Sequence, residues 1–450
     1  MTIASSNFTV LGYGIYAGDT PPTALQEIAF TGESLAYSNQ FISSSNINSS
    51  RQVLDSIQTG YEVSGGLQIE FAPTVYDKLI AASLWASWGE AANNKINLEN
   101  EGVTVAFDGG TLSVECTITT TTAATFSANG SDAGIVEGQF FQLSAPTNGT
   151  APAPDGIFGI YQVKTVTSDK IAIVYAVDNA SPFGADTITT TADKVNIKAC
   201  MIRAPKDGSS TNMIRQRFCI EKRQTDLTPN NFTYYNNMYV NNFSLNAQSA
   251  ALLTGSFDFM GSESDMQITA SKYDASVTAD DEAYTAADTF NGYNAVSHVG
   301  DVILRKLDSL DAGVNLNGTS DNQVYMQGLD FAVANNLRGA KAIGVPGNVD
   351  VLAGQLGVTG NLNVFFEDKT MYDLFTAQTE FSLSYSIVNE GVGYVFSFPR
   401  ATINTDSMSS GGNDQDLVES MAWTAMFDNK SKGGYSTGGY MTSIQIDKFI

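Results

Sequence analysis

The sequence predicts an all-β protein with a few short helices, and three observations carry that expectation. Charged residues make up only 16% of the 450-residue chain, while Gly, Ser, Thr and Asn abound and helix-favouring runs are scarce. This is the balance of short strands joined by many turns. In Tyr61–Phe71, the apolar Tyr61, Val63, Leu67, Ile69 and Phe71 alternate with Glu62, Ser64, Gly66, Gln68 and Glu70, the period of two of a strand with one buried face. That stretch also occurs twice. Val63, Ser64, Gly65, Leu67, Ile69 and Phe71 match Val358, Thr359, Gly360, Leu362, Val364 and Phe366, and after a one-residue slip Tyr76, Asp77, Leu79 and Ala81 match Tyr372, Asp373, Phe375 and Ala377. Alternation alone can recur by chance, but alternation followed at the same distance by Tyr-Asp and an aliphatic marks an internal duplication.

The elements follow in order. Residues 1–60 hold short apolar pieces separated by Gly, Pro and Ser, and 38–60 is a polar excursion, partly hairpin, whose one cation is Arg51; loops of that length are usually functional. Pro73 lacks an amide donor and stops the strand that starts at Tyr61. Beyond it, Tyr76, Leu79, Ile80, Leu84 and Trp88 fall at helical spacing, predicting a helix of about three turns resting on the sheet. Residues 101–205 change character to Thr-rich strands, a Gly/Pro loop and a hairpin flanking Thr167-Ser168-Asp169, and are read as a small β domain inserted into the first repeat.

The first repeat resumes near Arg217 with FCIEK, NMYVNNFSLNAQ and LLTGSFDFMG, and the second half offers FSLSYSIV, YVFSFPRATIN and ESMAWTAMFDN in the same order. Residues 1–100 with 206–275 therefore form the first β domain and 276–450 the second. The acidic stretch 262–290 reads as a linker or surface strap, in which Ala283–Asp288 is a candidate short helix.

Composition also bounds function. With 47 acidic against 23 basic residues, a net charge of −24, the surface disfavours tight nucleic-acid binding, which depends on neutralising phosphates. There is one histidine, His298, without a neighbouring nucleophile pattern, and no GxSxG, P-loop, HExxH or GxGxxG motif; no catalytic residue or cofactor is expected. Asn413-Asp414-Gln415-Asp416 lacks the further oxygen ligands that calcium needs, and Asp280-Asp281 reads as solvated strap, so no metal is expected either. Cys116, Cys200 and Cys219 fit buried thiols better than a disulfide framework. The Asn-X-Ser/Thr triplets reflect Thr- and Ser-rich composition. No apolar window is long enough for a membrane helix, and the first residues do not look like a signal peptide, so a soluble product of the cell interior is expected.

In order and spacing, ESLAYSN, the polar loop with Arg51, VSGGLQIEF, YDKLIAASLWASW, RFCIEK, YVNNFSLN and LLTGSFDFMG resemble the tail tube (major tail) proteins of long-tailed bacteriophages, and FAVANNL, LGVTGNLNVFFED, YDLF and FSFPRATI resemble that family's C-terminal half. The resemblance implies two tandem tube-type β-sandwich or barrel domains, each with a flanking helix, whose sheets join neighbouring subunits into rings stacked as a tube. It implies a virion protein, assembled in the host cytoplasm, whose partners are itself, other tail proteins and genomic DNA that passes without specific binding. No membrane partner is implied. Family rings normally hold six units, so a duplicated chain favours three chains in a pseudo-sixfold ring, with six chains as the alternative.

On this reading Glu62, Gln68, Glu70, Asp258, Asn361 and Asn363 face the lumen, and Ser43, Asn46, Asn48 and Arg51 belong to an inter-subunit or inter-ring loop. A capsid decoration or receptor-binding protein would also be β-rich and acidic, but needs no duplicated sheet. A carbohydrate-active enzyme needs aromatic platforms in a cleft, whereas Trp85, Trp88 and Trp423 lie in patterns that look like core.

Overall fold

A computed structural model describes residues 4–46, 52–53, 55–88, 95–107, 115–120, 135–147, 158–168, 171–176, 194–206, 213–227, 230–268, 271–274, 292–307, 313–315, 324–389, 391–409, 412–413, 416–429 and 440–449. The fold is all-β, as the sequence predicts. The chain passes through β1 (Thr9–Ile15), β2 (Gln26–Glu27), β3 (Gly32–Glu33), β4 (Ala36–Ser43), β5 (Ser56–Glu70) and the helix α1 (Asp77–Ser83). There follow β6 (Lys95–Phe107), β7 (Glu115–Thr120), β8 (Phe140–Ser144), β9 (Gly159–Ser168), β10 (Ile171–Ala176) and β11 (Lys194–Arg203). Next come β12 (Phe218–Gln224), β13 (Asn231–Gln248), β14 (Thr254–Gly261) and β15 (Glu263–Ile268). The last part holds β16 (Val299–Lys306), β17 (Gly313–Asn315), β18 (Met326–Ala334), β19 (Arg338–Ala340), β20 (Asp350–Leu352) and β21 (Gly357–Phe365). It ends with the helix α2 (Thr370–Thr376), β22 (Phe381–Asn389), β23 (Val392–Ser409), β24 (Val418–Ala425) and β25 (Gln445–Phe449).

One antiparallel pairing order occurs twice. The order β1–β12–β13–β14–β5–β4 recurs as β16–β22–β23–β24–β21–β18. The registers correspond too: Val63 and Leu67 face Gly261 and Phe257, as Val358 and Leu362 face Ala425 and Met421. Even the irregularities recur, since β13 skips Asn241 against β14 and β23 skips Asn404 against β24. A β-bulge bends its strand and sharpens the twist, so both long strands turn from an outer to an inner sheet at the same place. β15 lies on the first part of β13 as β25 lies on the first part of β23. The acidic stretch expected to be a strap is therefore, at Glu263–Ile268, a paired strand; Ala283–Asp288 lies outside the described residues.

The matched glycines have a packing reason. A Cβ on Gly360 would meet the Asp330 carbonyl oxygen and the Trp423 ring, and one on Gly65, whose φ is 147°, would meet the Ser34 carbonyl. Gly360→Ala is expected to cost about 1–3 kcal/mol through overpacking, read as a shift of the denaturant midpoint; an unchanged midpoint would show that the strands can separate to admit a methyl.

Both helices are two turns long, and α1 is shorter than the three turns its spacing predicts. Trp85 (φ 50°) and Gln378 (φ 51°) adopt the left-handed conformation. The amide of Ala86 donates to Ala81 O at 3.1 Å and that of Thr379 to Leu374 O at 3.0 Å, the closing pattern of a Schellman cap. Trp88 does not continue the helix; its Nε1 donates to Asp77 O at 2.8 Å. All three tryptophans are buried.

The two halves share one core. Phe243 stacks on Phe257 (centroids 4.8 Å apart) and meets Phe331 of the second half edge-on at 5.7 Å, in the geometries aromatic rings prefer. Asp77 of α1 receives Tyr394 OH at 2.6 Å and Lys448 Nζ at 2.7 Å, tying the first half to β23 and β25. The strands β6–β11 pack around their own cluster, including Val103, Phe141, Tyr161 and Ile197, and join the second half where β11 pairs with β25. Cys200 and Cys219 are buried.

Candidate assembly and channel surfaces

The inner sheet runs continuously through both halves, because the second part of β13 pairs with β18: Asn242–Gln248 lie against Ala334–Gly328. Its strand order is β4–β5–β14–β13–β18–β21–β24–β23. One face is core. On β5, Val63, Leu67 and Ile69 are buried while Glu62 and Gln68 are exposed and Glu70 partly so. On β14, Phe257 and Phe259 are buried with the half-buried Asp258 between them. On β21, Asn361 is exposed and Asn363 half-buried, between buried Val358, Leu362 and Val364. The pleat thus puts all six residues read from the sequence on the face opposite the core.

That face is polar and laced by short-range hydrogen bonds. Asn242 Nδ2 donates to Asp258 Oδ2 at 3.2 Å, Asn361 Nδ2 to Asp330 Oδ1 at 2.9 Å, and the Ser244 and Ser256 hydroxyls lie 2.8 Å apart. Asp330 carries the same signature as Asp258, a carboxylate between two core-facing apolar residues (Leu329 and Phe331), and sequence reasoning missed it. The eight strands, with β23 counted from Ala401, contain no Lys or Arg. Lys341, from outside them, reaches Glu62 at 3.2 Å and Gln40 at 2.6 Å, so Glu62 alone of the predicted acids is paired with a cation among the described residues.

Both ends of this sheet are open. Among the described residues, β4 pairs only with β5, and the second part of β23 only with β24. Open edges invite strand pairing, and these carry exposed apolar side chains: Tyr37 (44% exposed), Phe41 and Ile42 on β4, and Met408 (45%) on β23. Ser43 ends β4 and Asn46 follows it, both exposed, on the hairpin that the polar excursion forms with β5; Asn48 and Arg51 lie outside the described residues. His298 accepts the Asn294 amide at Nδ1, 3.1 Å away, a local turn contact. Among the described residues there is no group of three or more metal-ligating side chains, and no helix is long and apolar enough to cross a membrane.

This face is polar and acidic, its strands carry no Lys or Arg, and both edges of the sheet are unpaired among the described residues. The family model for phage tail tube proteins matches residues 9–425, and the chain belongs to that family. It is a structural component of the virion tail, in a family whose members associate with themselves and with other tail proteins. No curated protein sequence matches it.

Proposed function

We propose that three copies of this chain close into a ring, that rings stack into the tail tube, and that the genome leaves through the lumen lined by the polar inner face. The carrying observation is the β13–β18 pairing. In the recurrent order, β18 corresponds to β3 and β4, and β13 to β23, so the joint within the chain is a template for a joint between chains. Moving its register by the same correspondence places Asp406 opposite Tyr37 and Met408 opposite Leu35 of the next subunit.

The contact is heterologous, and such contacts either close or grow without end. Closure pairs the second part of β23 with the start of β4 and leaves the outer part of the β4–β5 hairpin projecting beyond the seam. A duplicated chain, with 1–100 and 206–275 as one unit, 276–450 as the other and 101–205 inserted, makes a six-unit ring from three chains. Hexameric closure of six chains is the competing stoichiometry.

Inside such a ring Gln68, Glu70, Asp258, Asp330, Asn361 and Asn363 face the channel, with Glu62 nearer the rim. Acid fields from every subunit add across the narrow space, and strands that carry no Lys or Arg give phosphates little to bind. The β4–β5 hairpin, with Ser43 and Asn46, contacts the neighbouring subunit or ring; Asn48 and Arg51 are assigned to the same contact from the sequence alone.

The seam is testable by placing cysteines at Tyr37 and Asp406, which the register brings face to face, at the roughly 5 Å Cβ separation of antiparallel neighbours, and bridging them with a short thiol cross-linker. Covalent dimers and trimers with no larger species are expected. A ladder reaching six chains would overturn the trimer, and absence of any cross-link in assembled tubes would overturn the seam.

A further inference from the structure

Comparing the joint within the chain with the seam between chains exposes a chemical difference. Within the chain, Phe331 lies between Phe243 (5.7 Å) and Tyr385 (6.2 Å). The corresponding residues at the seam are Asp406 for Phe243, Leu35 for Phe331 and Lys222 for Tyr385, as the matched pairings of β13 with β23 and of β12 with β22 require. Next to Asp406, Glu419 stands where the first repeat has Gly255. An aromatic trio and a glycine are thus replaced by two acids on one chain and a base on the next.

Glu419 is an odd residue for a sheet interior. It points to the core face in register with Val364, and only 1% of it is exposed. It lies diagonal to Asp406 across the pairing of β23 with β24, and among the described residues Glu419 Oε1 and Asp406 Oδ1 are buried with no hydrogen-bond partner. Two neighbouring carboxyl groups with buried oxygens disfavour a second charge, so such a pair holds a proton that a lone acid would release. The Glu419 carboxyl is pushed up to about 7, first by burial, then by the charges of Asp406 and Asp368. The groups that face it are Asp406 from β23 and Asp368 from the turn after β21; β24 itself adds no other charge. Across the seam, the next chain offers Tyr37 and the Lys222–Glu33 ion pair.

We propose that Asp406 and Glu419 form an acid latch on the ring seam, which a neighbouring copy of the chain closes by trapping the shared proton beside its Leu35 and its Lys222–Glu33 pair. The inference rests on the seam proposed above. The seam would hold three carboxyl groups (Asp406, Glu419 and Glu33) for one amine, so Lys222 alone cannot neutralise them. Closure removes the acid pair further from water, which favours the protonated form. A group whose affinity for protons is higher in the assembled state strengthens assembly below its free-chain value and loses that contribution as pH rises through its assembled value. Assembly therefore strengthens as pH falls towards about 7 and below, and weakens above it. With one proton taken up per seam, the seam constant falls by up to about tenfold per pH unit. The joint within the chain has no such dependence, so the subunit stays whole while the ring is conditional.

The test follows assembly of full-length chain by sedimentation velocity from pH 5.5 to 9, with the 37/406 cross-link scored on a separate cysteine variant. Parent protein is expected to need at least tenfold higher concentration to assemble at pH 8.5 than at pH 6. Glu419→Gln, close in shape and unable to titrate, should assemble with little pH dependence. Asp406→Phe with Glu419→Gly, which restores the residues of the first repeat, should assemble at the lowest concentration at every pH. Parent assembly that is flat with pH, or a Glu419→Gln profile as steep as the parent's, would overturn the latch while leaving the ring standing. Assembled tubes that never cross-link at 37/406 would overturn the seam and the latch together.

Discussion

Tyr37→Asp, Met408→Asp protein is expected to remain monomeric at concentrations where the parent chain forms tubes, with an unfolding free energy within about 1 kcal/mol of the parent's. Both side chains are exposed in the isolated subunit, and the replacement removes a contact between the Tyr37 and Tyr61 rings, 4.8 Å apart. At the seam, each would face a neighbouring strand from which water is excluded, and an unpaired buried charge costs several kcal/mol. The concentration needed for assembly should therefore rise by at least about 100-fold. Analytical ultracentrifugation with chemical denaturation separates the two quantities. Normal tube growth by this variant would mean that the edges of β4 and β23 do not meet.

The second large effect is expected in the channel. Glu70→Lys, Asp258→Lys and Asp330→Lys together convert part of a polar, acidic face into a cationic one. Glu62 is left in place because Lys341 already pairs with it. These positions lie opposite the core, where substitutions usually cost within about 0.5 kcal/mol each, so subunits should still fold and tubes still form. Phosphates passing the wall would then displace counterions and bind, and the attraction strengthens steeply as salt falls. Particles carrying the variant tube should eject DNA slowly or incompletely at low ionic strength and recover as salt is raised. Ejection indistinguishable from the parent across the salt series would place these side chains outside the channel.

Much of the fold is legible in local patterns. The alternation in Tyr61–Phe71 and its second copy gives β5 and β21 with the correct faces, and the three apolar pieces after each copy are β12–β14 and β22–β24. What escapes is whatever depends on pairing partners. Glu263–Ile268 is acidic and short of aliphatics, yet it is a strand because β13 offers it a free edge. The helices end early because Trp85 and Gln378 take a left-handed conformation that neither residue type announces. Asp330 is legible by the rule that finds Asp258, an acid between core residues on an inner strand, once Met326–Ala334 is known to be such a strand. Asp406 and Glu419 are ordinary acids in an acidic sequence. Only the register, which sets them opposite a core position and against each other, marks them.

The central claim is that the joint between β13 and β18 is repeated between chains. It is tested most directly by a cryo-electron-microscopy map of assembled tubes at a resolution that traces strands. The account predicts three chains per ring, a closed inner sheet, and residues 405–409 of each β23 antiparallel to residues 34–38 of the next chain, with Asp406 opposite Tyr37. A ring of six chains, or a ring in which β4 or the second part of β23 remains unpaired, would contradict it.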